Sequence, residues 1–531
     1  MFLSLLYPTE ETAARAARGE CVARVSAREI AELGLEGLFP AEDASPGSLF
    51  STDPDVIAYR EEVFSDLLSV PALGDVLRAA IPVLYDILAL RRLDDELGTS
   101  GEDYLYSITE IELYVSCIAD LAKGLSAFSS RLESRGFRAL ADRIKELSES
   151  EYYRELNDEL SRLSSRIREV KSITVGVNLD GKLRPESAGV LSVNAEPFKS
   201  GELLDKILRM SFRSDAMTCI APLCPFDKNQ SENRRDALNH AFHGALADVF
   251  RSSVRGWRRI VSEYVLENTD FLLRILPELD FVSRGAALLT SLREKGLPIT
   301  PPTLLSMSER AFRAKALYNP AVALSIEEEI VPNDLAFDEN GGIYVLTGPN
   351  RGGKSVVTVA LGASQAMAQL GLFVPAEELS LSPVDAIFTH FPEGAEDTLD
   401  KGRLGEECAR LSEILSAVTP HSLVLLDESL SSTGAYEASY IAAELLAGLS
   451  HVGCRVLFST HLHELAARVD EINARTAPTG ARIDTLVAGI EEGKRSFLIQ
   501  RKKPDGKSYA SDIAQKYGLS YEAITARFPK E

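Results

Sequence analysis

Eight consecutive residues, Gly348-Pro349-Asn350-Arg351-Gly352-Gly353-Lys354-Ser355, give the pattern GxxxxGKS. They follow the apolar run IYVLT and open a stretch of helical character. Glycines let backbone N–H groups turn inward around phosphate oxygens without a Cβ in the way. A helix N-terminus adds partial positive charge at the same place. Lys354 has the reach for β- and γ-phosphates, and the Ser355 hydroxyl suits Mg²⁺. A glycine-rich turn can match such a pattern by chance. With Lys-Ser in place between a strand and a helix, the segment reads as a P-loop that binds ATP and Mg²⁺.

Two further strand ends carry matching chemistry. Ser422-Leu-Val-Leu-Leu-Asp427-Glu428 is an apolar strand closed by adjacent carboxylates. Behind a P-loop, Asp427 is the residue to complete the Mg²⁺ shell and Glu428 the one to polarise the attacking water. Without that loop the pair would be ordinary loop charges. Arg455-Val-Leu-Phe-Ser-Thr460-His461 is another strand, ending in Thr-His. A lone histidine at a strand end is commonly a surface or capping residue; in this order it reads as a hydrogen-bonding sensor of the γ-phosphate. The catalytic set expected is therefore Glu428, His461 and Lys354.

The elements that must position these groups are the strands IYVLT, AIFT, SLVLLD and RVLFST, separated by helical segments. Strands apolar throughout and alternating with helices imply a mainly parallel sheet covered on both faces, an α/β fold. KGLPITPPTLL punctuates the chain before this region, which places a boundary near Pro298–Pro302. Residues 1–170 read as helical, with Ile108, Ile111, Val115, Ile118, Ala122 and Leu125 at helical spacing. Leu156, Leu160, Leu163, Ile167 and Val170 form a short heptad seam, fitting either a bundle helix or an antiparallel arm. A small β insertion near 172–195 is signalled by ITVGVNLDG and GVLSVN around Asp180-Gly181. Residues 213–236 are polar and turn-rich and read as a loop, and helices return from Ala237 to about Arg293.

A chain of 531 residues is too long for one core and suggests two to four domains. Hydrophobic content of 45% and charged content of 26% are ordinary for a soluble protein. No apolar run reaches the ~20 residues that span a bilayer. The start, MFLSLLYPTEE, has no basic region and its apolar stretch stops at Pro8, so no signal peptide is expected. Cys21, Cys117, Cys219, Cys224, Cys408 and Cys454 are scattered without a framework, which suggests buried thiols in a reducing cytoplasm. The net charge is −22, and it is shared. Residues 301–531 carry 21 basic and 31 acidic side chains, and residues 1–300 carry 36 and 48. Any nucleic-acid contact would need a local basic patch.

The order and wording of these segments resemble the MutS ATPases of DNA mismatch repair. The likeness lies in TGPNRGGKS (347–355), GLFVPAEELSLSPVDAIFT (371–389), SLVLLDESLSSTGAYEAS (422–439), FSTHLHELA (458–466) and the tail GKSYASDIAQKYGLSYEAI (506–524). The stretch 278–304 looks like that family's joining helix between lever and ATPase. The resemblance implies an ABC-type P-loop ATPase domain over 301–531, with a dimerisation segment at about 506–531, preceded by a helical core and lever over 1–300. It also implies a cytoplasmic homodimer that acts on DNA, without membrane attachment.

Two departures matter. Family members carry a serine-bearing GRSTF segment that touches the partner subunit's γ-phosphate; here the stretch is Gly402-Arg403-Leu404-Gly405-Glu406-Glu407. A helix N-terminus could still offer backbone N–H groups there. The repair proteins also insert a Phe-x-Glu wedge beside a mismatch. The triplets Phe337-Asp338-Glu339 and Phe391-Pro392-Glu393 lie within the expected ATPase region instead, so direct mismatch reading is not expected. Nor is a nuclease-like domain expected after Glu531.

Other features weigh less. Cys219, Cys224, His240 and His243 do not match the usual zinc spacing. Arg251, Arg255, Arg258 and Arg259 fall on one helical face beside Phe250, Val254, Trp257, Val261 and Tyr264. That face fits either phosphate contact or a solvated surface. The leading expectation is a MutS-like ATP-dependent DNA-binding protein of DNA repair or recombination. The alternatives are a nucleotide-gated protein-binding switch and a transporter-type ATPase subunit; the last lacks its usual LSGGQ-like segment.

Overall fold

The computed structural model describes residues 2–39, 46–97, 103–169, 171–179, 185–194, 196–197, 199–200, 218–219, 269–338, 341–392, 402–491, 494–503 and 517–527. Backbone contacts divide the chain into two compact units. One holds Met1–Pro71, Leu132–Phe137 and Pro277–Glu531; the other holds Ala72–Arg131 and Arg138–Leu276.

Among its described residues, the second unit is mainly helical. Helices Pro71–Leu97, Asp103–Ser126, Arg135–Glu149 and Glu151–Glu169 account for most of its described residues. Ile111, Val115, Ile118 and Leu125 are buried at the spacing that predicts a helix, and Leu156 and Leu160 are buried from the heptad seam. Tyr153 donates to the Val115 carbonyl at 2.8 Å, which satisfies a hydroxyl on an otherwise apolar face. The small β insertion is a hairpin of β1 (Ser172–Leu179) and β2 (Pro185–Asn194), paired antiparallel. Of the loop expected at 213–236, only 218–219 are described. There β4 (Thr218–Cys219) pairs with β3 (Lys199–Ser200). Of the helices expected from Ala237 to about Arg293, residues 237–268, with the arginine face, lie outside the described residues.

The first unit carries two sheets. A four-stranded sheet runs β5 (Thr303–Leu304), β9 (Glu378–Leu381), β6 (Phe312–Leu317), β7 (Asn333–Phe337). A six-stranded sheet has the order β10 (Ile387–His390), β11 (Leu423–Asp427), β12 (Arg455–Ser459), β8 (Ile343–Thr347), β13 (Ile483–Glu491), β14 (Lys494–Arg501). Its first five strands are parallel and β14 returns antiparallel. Every residue of β8, β10, β11 and β12 is buried, because helices cover both faces. Each fully buried Val, Leu, Ile or Phe contributes about 1.5–3 kcal/mol.

Packing is close behind the phosphate loop. Helix Lys354–Gln369 is buried along nearly its whole length. A Cβ at Gly362 would stand 2.4 Å from Leu33 Cδ2 and 2.5 Å from Leu425 Cδ1, so a larger residue would displace those side chains. The N-terminal stretch is part of this unit. Arg24 N donates to Asp385 O at 2.8 Å and Ile387 N to Arg24 O at 3.1 Å, extending the sheet beside its β10 edge. Gln369 donates to Ser51 O and Ser51 N to Gln369 O. Among the described residues, no single helix is long and apolar enough to cross a membrane.

Candidate nucleotide site

The C-terminal ends of β11, β12 and β8 lie side by side, with Asp427 opposite Ser459 and Ser459 opposite Leu346 in register. Parallel sheets bind ligands at this edge, beside strands whose connections leave in opposite directions. Here β8 is that strand, since the chain leaves it for the far edge at β10 and later returns on its other side at β13.

The glycine loop connects β8 to helix Lys354–Gln369. Gly348 has φ +145°, and a Cβ there would stand 2.7 Å from Ala488 Cβ and 3.1 Å from Ala488 N. Only glycine lets the chain turn this closely over β13. Gly353 occupies the helix N-cap with φ +91°, and Arg351 also has positive φ, +58°. Gly352 N donates to Pro349 O at 3.1 Å, which closes the loop on itself. Asn350 and Ser355 are exposed, whereas Lys354 is buried.

Lys354 is the centre of the polar cluster. Its Nζ donates to Gly348 O at 3.3 Å and Pro349 O at 3.2 Å, and lies 3.4 Å from His461 Nε2. Burial pushes its pKa down, while the Glu428 and Asp427 carboxylates hold it up. His461 Nε2 is also 2.7 Å from Glu428 Oε1. Burial pushes the Asp427 pKa up; the Ser355 and Ser459 hydroxyls work against that, and the Glu428 charge adds to it. Asp427 Oδ1 is buried and, among the described residues, has no hydrogen-bond partner. A carboxylate oxygen left bare next to a serine hydroxyl is the kind of hard-oxygen pair that Mg²⁺ takes along with phosphate and water. The donor set therefore fits that ion.

Beside the loop opens a cavity of about 570 Å³. Its walls include Gly352, Gly353, Lys354, Ser355 and Glu428, together with Tyr318, Asn319, Val331 and Phe497. Apolar side chains there stand beside polar ones that include Glu328, Glu329 and Arg351, a mixed lining with the volume of a small-molecule site. Phe497 has φ +57°, and its carbonyl accepts from Asn333 Nδ2 at 3.2 Å. None of the four residues Tyr318, Asn319, Val331 and Phe497 stands out in the sequence. Tyr318, Asn319 and Val331 come from the connection between β6 and β7 and Phe497 from within β14, and no local pattern marks them.

Lys354, Ser355, Asp427, Glu428 and His461 are thus brought together, with Gly348–Gly353 around Lys354. Arg251, Arg255, Arg258 and Arg259 lie outside the described residues, as do Cys224, His240 and His243. Helix Gly402–Ala417 begins at the segment that departs from GRSTF.

Residues 344–527 match the family model described as MutS domain V. Residues 52–298 match the one described as MutS2 N-terminal domain. Among curated proteins, the chain is 33% identical over 226 residues to a DNA mismatch repair protein MutS of Chloroflexus aurantiacus, covering 41% of this chain and 22% of that protein. It is 36% identical over 212 residues to the protein of that name from Leuconostoc mesenteroides, covering 39% and 24%. Over 208 residues it is 37% identical to that of Chlorobium chlorochromatii, covering 38% and 23%. The matched part spans less than a quarter of each of these relatives.

Proposed function

We propose, from the premise that this chain belongs to the MutS family, that it binds and hydrolyses ATP to move helical DNA-clamping arms. The single observation that carries this reading is the convergence of Lys354, Asp427, Glu428 and His461 on the ends of adjacent strands beside the cavity. In this reading Gly348–Ser355 are a P-loop around the triphosphate, and the cavity at Tyr318, Asn319, Val331 and Phe497 takes the nucleoside. Lys354 leaves the carbonyls of Gly348 and Pro349 for phosphate oxygens, which restores the positive charge that burial opposes. Glu428 holds the attacking water and takes its proton, and His461, bonded to Glu428, senses the γ-phosphate. Ser355 and Asp427 would hold Mg²⁺, which supplies positive charge against the phosphates.

The division of labour we propose keeps core and lever in 1–300 and the ATPase in 301–531. Assembly is as a cytoplasmic homodimer through the tail at about 506–531. Tyr517, Leu519, Tyr521 and Ile524 are exposed around helix Tyr521–Arg527, an apolar surface that a second copy would cover. Deleting the residues after Pro504 should lower both dimerisation and ATP turnover, measured by sedimentation and phosphate release. A fully active truncated monomer would rule out shared sites.

DNA is the proposed ligand, read by shape rather than by mismatch. Within these residues, Phe337 of one Phe-x-Glu triplet is fully buried in β7, where it cannot serve as a wedge. Binding should weaken steeply with salt, as phosphate neutralisation requires. Charge reversal at Arg255 and Arg258 should lower affinity without changing ATP binding. A tenfold mismatch preference in competition, about 1.4 kcal/mol, would overturn shape-only reading. The net charge of −22 favours a second reading, a nucleotide-gated protein-binding switch, and salt-independent or undetectable DNA binding would select it.

A further inference from the structure

We infer that His390 and Ser429 form a latch that sets the position of the Glu428 carboxylate, a role that rests on the ATPase reading above. His390 closes β10, where it lies opposite Leu426 of β11. Its Nδ1 is 2.7 Å from Ser429 Oγ, and that hydroxyl donates to the His390 carbonyl at 3.2 Å. With the hydroxyl proton so committed, Nδ1–H is the donor to Ser429 Oγ. Both residues are buried, at 2% and 4% exposure.

Ser429 directly follows Glu428, in a turn under backbone strain. Glu428 has φ +47° and Leu430 has φ +65°, both in the left-handed region that non-glycine residues avoid. Such a turn persists only where its surroundings over-determine it. On one side, Glu428 N donates to Ser459 O of β12 at 2.8 Å. On the other side stands the His390–Ser429 pair, reaching across from β10. Leu430, fully buried, anchors the exit. The turn is thus held between the two strands that flank β11. Its free end presents the Glu428 carboxylate to His461 at 2.7 Å.

His390 and Ser429 are positioning residues, and no reacting atom touches them. Loss of the latch should let the carboxylate drift while the phosphate loop stays intact. A misplacement of about 1 Å can cost roughly 100-fold in rate.

The test compares the full-length chain with Ser429→Ala, Ser429→Thr and His390→Phe, measuring kcat, KM, ATP-analogue affinity and melting temperature. Ser429→Ala should lower kcat by roughly 10- to 100-fold, with affinity unchanged. Ser429→Thr, which keeps the hydroxyl, should return turnover toward wild type. A variant combining Ser429→Ala with His390→Phe should be no slower than the slower of the two single variants, and additive losses would overturn a shared latch. Equal kcat in wild type and Ser429→Ala would overturn the latch alone, as would a fall in affinity matching the fall in kcat. A wild-type chain that hydrolyses no ATP would overturn the ATPase reading, and the latch with it. If His390→Phe fails to fold, the Ala and Thr variants at 429 decide the matter.

Discussion

Replacing Glu428 by Gln should separate nucleotide binding from turnover. The side chain is about a third exposed, and its Oε1 lies 2.7 Å from His461 Nε2. Glutamine has the same length and can keep an oxygen toward His461. The turn beneath it is held by the backbone bond to Ser459 and by the His390–Ser429 pair, neither of which the substitution touches. What disappears is a group able to take a proton from water. A positioned general base is worth roughly 10²- to 10⁴-fold, so kcat should fall by that factor, about 3–5 kcal/mol of barrier. Affinity should stay level or tighten by up to about tenfold, because a negative charge facing the phosphates has been removed. Lys354→Ala is the contrasting control. It removes the buried cation beside Gly348 O and Pro349 O and should weaken binding itself. Phosphate release at saturating ATP gives kcat, and anisotropy with a labelled ATP analogue gives affinity. Wild-type turnover in Glu428→Gln would refute the assignment, and so would equal losses of affinity and rate.

The remaining predictions concern the scaffold. Gly348→Ala puts a Cβ 2.7 Å from Ala488 Cβ at φ +145°, so it should lower stability by about 1–3 kcal/mol and weaken ATP binding, read by thermal melting and anisotropy. Asp66, almost fully buried, accepts from Glu133 N at 2.9 Å, Ser134 N at 3.0 Å and Ser134 Oγ at 2.6 Å. Asp66→Ala strands those donors and should cost about 3 kcal/mol in urea unfolding; a loss under about 1 kcal/mol would show that water replaces the carboxylate. Glu278 accepts from Leu5 N at 2.6 Å and from Ser4 Oγ, and burial pushes its pKa from 4.5 up to about 7. Its folded pKa is raised, so the buried acid keeps its proton where the unfolded chain has released it. Its contribution to stability is complete below about pH 4.5 and is lost as pH rises through about 7, on the order of 3 kcal/mol in all. Glu278→Gln should flatten that slope relative to wild type, and identical pH profiles would refute it.

How much of this was legible in sequence follows from the range of each interaction. The strands β8, β10, β11 and β12 are short apolar runs bounded by breakers, a one-dimensional pattern that survives without tertiary information. The same holds for Gly348–Ser355, since cradling phosphate demands particular residue types at consecutive positions. The β1–β2 hairpin was legible from its turn residues. Leu156 and Leu160 matched the helical seam, though nothing in two heptads distinguishes a bundle helix from an arm.

Local pattern therefore suffices for the phosphate loop, the acidic and histidine-bearing strand ends and the helix–strand alternation. Only tertiary structure decided that Lys354, Asp427, Glu428 and His461 meet, because strand order is set by crossover topology and not by chain order. It alone brought Asn319, Val331 and Phe497 to one cavity and seated Leu33 against Gly362. It alone joined His390 to Ser429, 39 residues apart in the chain. A hydrogen bond between neighbouring strands depends on their register, and a side chain of ordinary type carries no mark of the partner that register will give it.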